Sequence, residues 1–594
     1  MKKFNWILLG AGAVMFLSGC GSNSSDSDTF EITQIDFAAI QQRAEEFVPQ
    51  IGTPGGEIRL TSISDPKSFN PITSIENTTS EFTSLMYEGL VRINRVTLLP
   101  EPGLAQSWEI SDDGLTYIFT LREGIKWSDG TPISAYDVDF TFNQLIYNLK
   151  INPNNARDMF MIDGNRIEVT ALDSSRVKCV LPHPFAPFLR AMSQEILPKH
   201  VHQPVVEAGN FPTSLGIQTP PGSMVVNGKF MLESYTSSQQ VVFRRNPHYW
   251  KKDAQGNQLP YLERVVYTIV ADQSAQLLNF MRGRHDYYAA RGEDYPGLKR
   301  AEKRGNFTVH RLGPSKGSNF LMFNQNQGTD ASTGRPYVDS AKLSWFSNPN
   351  FRRAVAHAID KQRMINNVMN GLGYPQWSPM TPSEGLFFNP DVAQYPYDKE
   401  RALEILEAEG FSDKNDDGYL QDRDGNTVEF AFITNSGNSV RLRIAEIIRR
   451  DLQELGMKVH FQQLDFNTMG PKINNAPYDW DAVLLALSGG DEPHFGRNVW
   501  HSTGSLHMWN LEQPSPSTLW QARIDSIFDS GVKILDLEER RELYNEWQRI
   551  AADKLPLIYT VLPETIICLT NRFGNVNPSL SGGLLHNLEY LYVK

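Results

Sequence analysis

Cysteine is scarce: the 594-residue chain has 3. That excludes a disulfide scaffold and a zinc-ribbon array, both of which need repeated cysteine pairs. Positive charge is in deficit, with 56 Lys+Arg against 68 Asp+Glu and a formal net charge of −12. A nucleic-acid partner would require a basic footprint, so none is expected. Beyond the N-terminal segment there is no run of about 18 uninterrupted apolar residues, and no later helix is expected to span a membrane. The patterns H-E-x-x-H and G-x-x-x-x-G-K-[ST] are missing, which leaves zincin and P-loop chemistry without their signatures. There is no repeat of fixed period. What is present is a globular composition, 40% hydrophobic, 21% charged and 11% aromatic, on a length that suggests roughly three to five domains' worth of chain.

Lys2 and Lys3 precede an almost wholly apolar or small run, Trp6 to Leu17, that is too short for a comfortable span and suits a secretory signal. The run ends in Leu17-Ser18-Gly19-Cys20, which resembles a bacterial lipobox and marks Cys20 for lipidation. Acylation would hold the protein on a membrane surface, since each buried methylene contributes ~0.8 kcal/mol. Residues 21 to 29 are Ser/Asp/Asn-rich and read as a tether. Cys179 and Cys568 would then face an oxidising compartment, either paired or as independent core residues.

The second half alternates helices with strands. Asn348-Pro349 opens a helix through Ile359, Lys399 to Glu409 is a second, and Ser439 caps a third with Ile444, Ile448 and Leu452 at helical spacing. Strands are expected at Met457 to Leu464 and Val483 to Leu487, implying an α/β lobe with a largely parallel sheet. In the first half, Ser107–Ile110 and Thr116–Leu121 read as strands and Ser134 to Leu149 as a helix.

Three short motifs have spacings that touch on catalysis or metal binding. Gly313-Pro314-Ser315-Lys316-Gly317 matches G-x-S-x-G, but both flanks read as strands, and a nucleophile elbow needs a strand followed by a helix. His494, His501 and His507 lie close together without the spacing of a metal site. Residues 413–424 resemble a calcium loop, with oxygen donors at Asp413, Asn415, Asp417 and Asp424, a backbone position at Tyr419, and glycine at 418. The alternative there is an Asx-rich turn that holds no metal.

Several stretches then point together to one family: Leu85-Met86-Tyr87-Glu88-Gly89-Leu90, Leu104-Ala105-Gln106-Ser107-Trp108, Trp127-Ser128-Asp129-Gly130, Arg245-Asn246-Pro247-His248-Tyr249-Trp250, and Arg352 to Asp360. From about Gly55 onward the chain resembles the oligopeptide/dipeptide/nickel-type solute-binding proteins of bacterial ABC importers. The resemblance implies a two-lobed periplasmic-binding-protein type of α/β fold with a hinge and an extra domain inserted in the first lobe. Its implied layout is a signal peptide at 1–19 and a tether with a short extension at 20–54. Lobe 1 is then 55–85, 225–311 and 556–594, the insert 86–224, and lobe 2 312–555. It implies a non-enzymatic, extracytoplasmic protein that captures a solute between the lobes and delivers it to a membrane permease. No cofactor is required; a structural calcium ion is the one the sequence suggests.

In peptide-binding members of that family an aspartate soon after the apolar strand pairs with the peptide amine. Here the matching position is Gly489, with Asp491 two residues on. In the dipeptide branch an arginine before the long helix receives the carboxylate, and Asn435 stands there instead. Asp491 is therefore the charge expected to meet an amine, in a polar set with Glu492, His494 and Arg497. Trp500 is expected as an apolar wall, and Phe69 and Asn70 as the facing residues of the first lobe. The expected solute is an oligopeptide. A nickel-type metal carrier, or an extracytoplasmic enzyme on the same scaffold, is the alternative.

Overall fold

The computed structural model describes residues 36–73, 76–151, 158–162, 164–413, 415 and 417–594. The signal segment, Cys20 and the tether at 21–29 lie outside the described residues. No helix among the described residues is long and apolar enough to cross a membrane.

Two bodies are built on separate sheets. In the first, Glu57–Ser62 pairs in parallel with Arg264–Ile269, which is followed antiparallel by Gln240–Arg245 and Phe230–Thr236. A second sheet of this body sets Tyr287–Ala290 and Phe307–Pro314 on either side of Val561–Thr570. Residues 105–121 and 168–180 add an antiparallel four-stranded sheet. One hydrophobic core runs through it and the 57–62 sheet, joining Ile58, Phe82 and Phe243 to Phe119, Trp127 and Phe142.

The motifs that carried the resemblance do structural work here. Glu88 accepts hydrogen bonds from the Tyr249 hydroxyl (2.7 Å) and the Trp250 indole N–H (2.8 Å), so two distant motifs meet through one carboxylate. Trp127 is fully buried. The turn after it closes with the Trp127 N–H on the Thr131 carbonyl (2.8 Å), and Gly130 supplies a positive φ of 88°.

The second body holds a five-stranded sheet in the order Lys458–Leu464, Glu429–Asn435, Ala482–Leu487, Ser318–Phe323, Leu557–Tyr559. Strand alternation sends Leu321, Phe323, Phe432 and Leu484 to one face and Phe320, Met322, Ile433 and Val483 to the other, each with its own core. The sheet is mixed rather than largely parallel: the first two pairings are parallel and the last two antiparallel. The reason is topological. Ser318–Phe323 continues directly from Phe307–Pro314 of the first body and so enters against the direction of its βα neighbours. Leu557–Tyr559 runs antiparallel beside it and continues into Val561–Thr570. The chain thus passes between the bodies at 315–317 and again at Thr560, whose N–H and hydroxyl both donate to the Asn319 carbonyl (2.9 and 3.0 Å).

Most predicted elements are present, with shifted ends. The 134–149 helix is α-helical only over Ala135–Phe140 and widens to π-type turns over Thr141–Ile146. The long helix spans Ser439–Glu454, and Asn438 rather than Ser439 caps it, its side chain accepting from the Arg441 N–H (2.9 Å). Ser315 sits between two strands, as its flanks implied. Cys179 and Cys568 are both free and buried.

Candidate functional site

The C-terminal ends of Glu429–Asn435 and Ala482–Leu487, and the N-terminal end of the antiparallel Ser318–Phe323, share one edge of the second body's sheet. In open α/β sheets, loops at this end hold ligands. Asp491 lies in the loop after Ala482–Leu487 and is nearly buried, its side chain 7% exposed. It is already partnered. The Lys316 ammonium stands 2.5 Å from Oδ1, and the guanidiniums of Arg95 and Arg190, from the first body, stand 3.7 and 3.8 Å from Oδ2. The sequence offered no signal for these three cations, because they come from segments far from Asp491 in the chain. The expected amine partner is thus a carboxylate whose charge other residues balance.

Its neighbour Glu492 points elsewhere, into a buried pair with Arg540, whose Nη1 is 2.9 Å from Oε2 while Nη2 meets Oε1. Glu492 Oε1 also accepts the His494 N–H at 3.1 Å. The His494 ring packs edge-on against Phe185 of the first body at 5.5 Å, and burial pulls its pKa down to about 4. With Arg497 it lines a cavity of about 500 Å³ between the two bodies. Arg497 pairs with Asp529 at 2.9 Å.

Trp500, expected as a wall, packs instead among Trp509 and Trp547 inside the second body, with ring centroids 5.6 and 5.2 Å away. Phe69 is fully buried against Tyr235, and the Asn70 side-chain oxygen Oδ1 accepts from the N–H groups of Ile72 and Thr73. Both are held in the first body's interior, because an Asx turn there satisfies local backbone donors.

Two departures from the family's pattern acquire a physical account. A Cβ at Gly489 would collide with Glu384 Oε1 and lie 2.7 Å from the Gly317 nitrogen. The space for an aspartate is filled by a carboxylate from another segment, the turn Pro382–Phe387. Glu384 accepts the Thr381 N–H at 2.7 Å, and burial raises its pKa to about 7. At Asn435, the Arg441 guanidinium is brought within 2.5 Å of the side-chain oxygen, and its Nε lies 3.4 Å from Asn319 Oδ1. Arg441 has no carboxylate partner among the described ion pairs, and burial lowers its pKa. The pairing joins the last residue of a strand to the first turn of the next helix across the turn between them, and no single periodicity signals it in the sequence.

In the 413–424 loop, Asp413 accepts the N–H groups of Asp417 and Gly418, and Asp417 accepts that of Tyr419 (2.9 Å). The Asn415 amide donates to Asp417 (3.1 Å), and the Asp424 N–H donates to Asp422 (3.0 Å). Among the described residues no three His, Cys, Asp or Glu are grouped so as to hold a metal ion. The His501 and His507 side chains are engaged with Thr503 and the Val499 carbonyl.

Two bodies joined by paired crossover strands, with a polar edge turned to the junction, define a solute-binding protein, and residues 100–506 match the model of the bacterial extracellular solute-binding proteins, family 5. The chain belongs to that family. It is similar to a "Probable ABC transporter-binding protein" of Deinococcus radiodurans, 29% identical over 541 residues that cover 87% of this chain and 89% of that one. It is also similar to the oligopeptide-binding protein AppA of Bacillus subtilis, 25% identical with 97% of this chain and 95% of that one covered. The solved structure of AppA in complex with a nonapeptide superposes with a TM-score of 0.69 at 22% identity, covering 92% of this chain and all of that one. Both relatives carry the names of binding proteins.

Proposed function

We propose that the protein captures an oligopeptide between its lobes and delivers it to an ABC permease, from a membrane surface to which an acylated Cys20 tethers it. The observation that carries the peptide reading is Arg441. A half-buried guanidinium with no carboxylate partner among the described residues, at the end of the sheet where ligands sit, is poised for a peptide carboxylate. Family membership and the peptide-binding relatives support the same reading.

Calorimetry with a defined peptide mixture tests it. Losing the partner of a buried charge costs about 2–5 kcal/mol, so Arg441→Ala should weaken binding at least ~30-fold. C-terminal amidation of the peptide should cost wild type a similar factor and the variant little more. Equal affinity of wild type for free-acid and amidated peptides would remove Arg441 from the site, and no binding of any peptide would overturn the peptide assignment. For the anchor, fatty-acid labelling should mark wild type and not Cys20→Ser.

A further inference from the structure

We infer that Asp491 is the hub of an electrostatic latch that holds the two lobes closed, in place of a role as a solute's amine anchor. This goes beyond the transport reading and does not depend on which solute is carried.

The charges are attached to different bodies. Lys316 lies at the crossover between the bodies, and Asp491 is on the second. These two stay together whatever the lobes do, and their separation is 2.5 Å. Arg95 follows the strand Val91–Ile93, and Arg190 is on the helix Phe188–Ala191; both segments pack into the first body's core. Their guanidiniums reach Asp491 Oδ2 at 3.7 and 3.8 Å. Opening the hinge separates these two cations from Oδ2 and leaves the Lys316 contact intact.

Burial decides why this should matter. An exposed ion pair contributes little because water and salt screen it. Asp491 is 7% exposed and the Arg190 side chain 14%, so that pair is largely out of water when the lobes meet, whereas Arg95 is 55% exposed and its contact is the part open to salt. Closure strips water from a carboxylate that Lys316 engages on one oxygen only, and the two guanidiniums compensate the other. Arg190 is itself positioned, its Nη2 donating to the Leu98 carbonyl at 2.6 Å. The same seam carries a backbone bond between bodies, Ala186 N–H to the Val532 carbonyl at 2.7 Å, so the latch sits within an ordered contact. Glu492, hydrogen-bonded to Arg540, also attracts Arg190 across the seam and so adds to the pull on the first body, while Glu384 accepts the Thr381 N–H beside Lys316.

Small-angle scattering on purified protein, stripped of solute by unfolding and refolding, tests the latch. Wild type should be compact at low salt and expand as salt rises from about 0.01 M to 1 M, where the Debye length falls to about 3 Å. Asp491→Asn should show the expanded radius of gyration already at low salt and lose the salt dependence. The double variant Arg95→Gln/Arg190→Gln should do the same. Lys316→Met should stay compact, because it removes only the contact that does not cross the hinge. The inference is overturned if the arginine double variant keeps the wild-type radius and salt response. It is equally overturned if Lys316→Met expands as much as Asp491→Asn, which would make the cluster a local support. Should Asp491→Asn fail to fold, the arginine pair decides alone. No peptide enters this experiment, so its outcome is independent of the peptide assignment.

Discussion

Glu384 and Arg441 show how single residues can be decisive and still invisible in a one-dimensional pattern. Glu384 is an ordinary acid in a short turn until folding sets it against Gly489 and removes its water. Its folded pKa of about 7 lies above its ordinary 4.5. The folded state therefore binds the proton more tightly, and the stabilisation is fully present below about pH 4.5 and is lost as pH rises to 7. Chemical denaturation of Glu384→Gln should accordingly show a flatter fall of stability from pH 5 to 7.5 than wild type. The difference between the slopes should amount to at most on the order of 3 kcal/mol over that range. Parallel slopes would mean that the carboxyl is ionised in the native state throughout. Arg441 is the complementary case: a cation in the first turn of a helix works against the helix dipole, which favours a partner outside the helix.

Among the elements, the strand ends of the second body are the most constrained. Ala482–Leu487 stops where Gly489 must pass between Glu384 and the Gly317 backbone. Adding one methyl there forces that seam apart, and overpacking of this kind costs about 1–3 kcal/mol. Gly489→Ala should lower the unfolding free energy, read by chemical denaturation, by that amount. Gly490→Ala, whose added methyl meets open space, should leave it within about 0.5 kcal/mol. Equal effects of the two would show that the crowding relaxes without cost. The sheet's own order teaches the same lesson. The amphipathic spacing of 439–454 and the apolar run at 482–487 identify a helix and a buried strand. The direction of Ser318–Phe323 follows only from its continuity with a strand of the other body.

At the scale of the whole molecule, the first body's core and the two cores of the second are built from largely separate segments, with Val532 of the second body packed in the first core and Val561 of the first body packed in the second. Two crossover strands, the pairing of Gly373–Pro375 with the start of Val561–Thr570, and a polar seam connect them. Bodies linked in this way unfold with partial independence. Scanning calorimetry without solute should resolve two transitions, and a peptide bound across both lobes should draw them together. At a hundredfold excess over Kd that peptide would add about 2.7 kcal/mol. A single transition with and without peptide would show instead that the seam already couples the lobes fully.

The sequence by itself determined the α/β class, the family, the positions of most helices and strands, and the absence of nucleophile and zinc signatures. These rest on local periodicity, turn chemistry and motifs such as Trp127-Ser128-Asp129-Gly130, whose contacts are short-range or recurrent. Only the tertiary structure decided the charge environment of the cleft. Asp491 and Glu492 are adjacent in the chain yet face different partners, one toward Lys316, Arg95 and Arg190, the other toward Arg540. Phe69, Asn70 and Trp500 proved to be interior residues, because burial depends on what packs over a side chain rather than on its own type. A buried charge takes its meaning from neighbours that the fold brings in from hundreds of residues away, and no spacing rule encodes them.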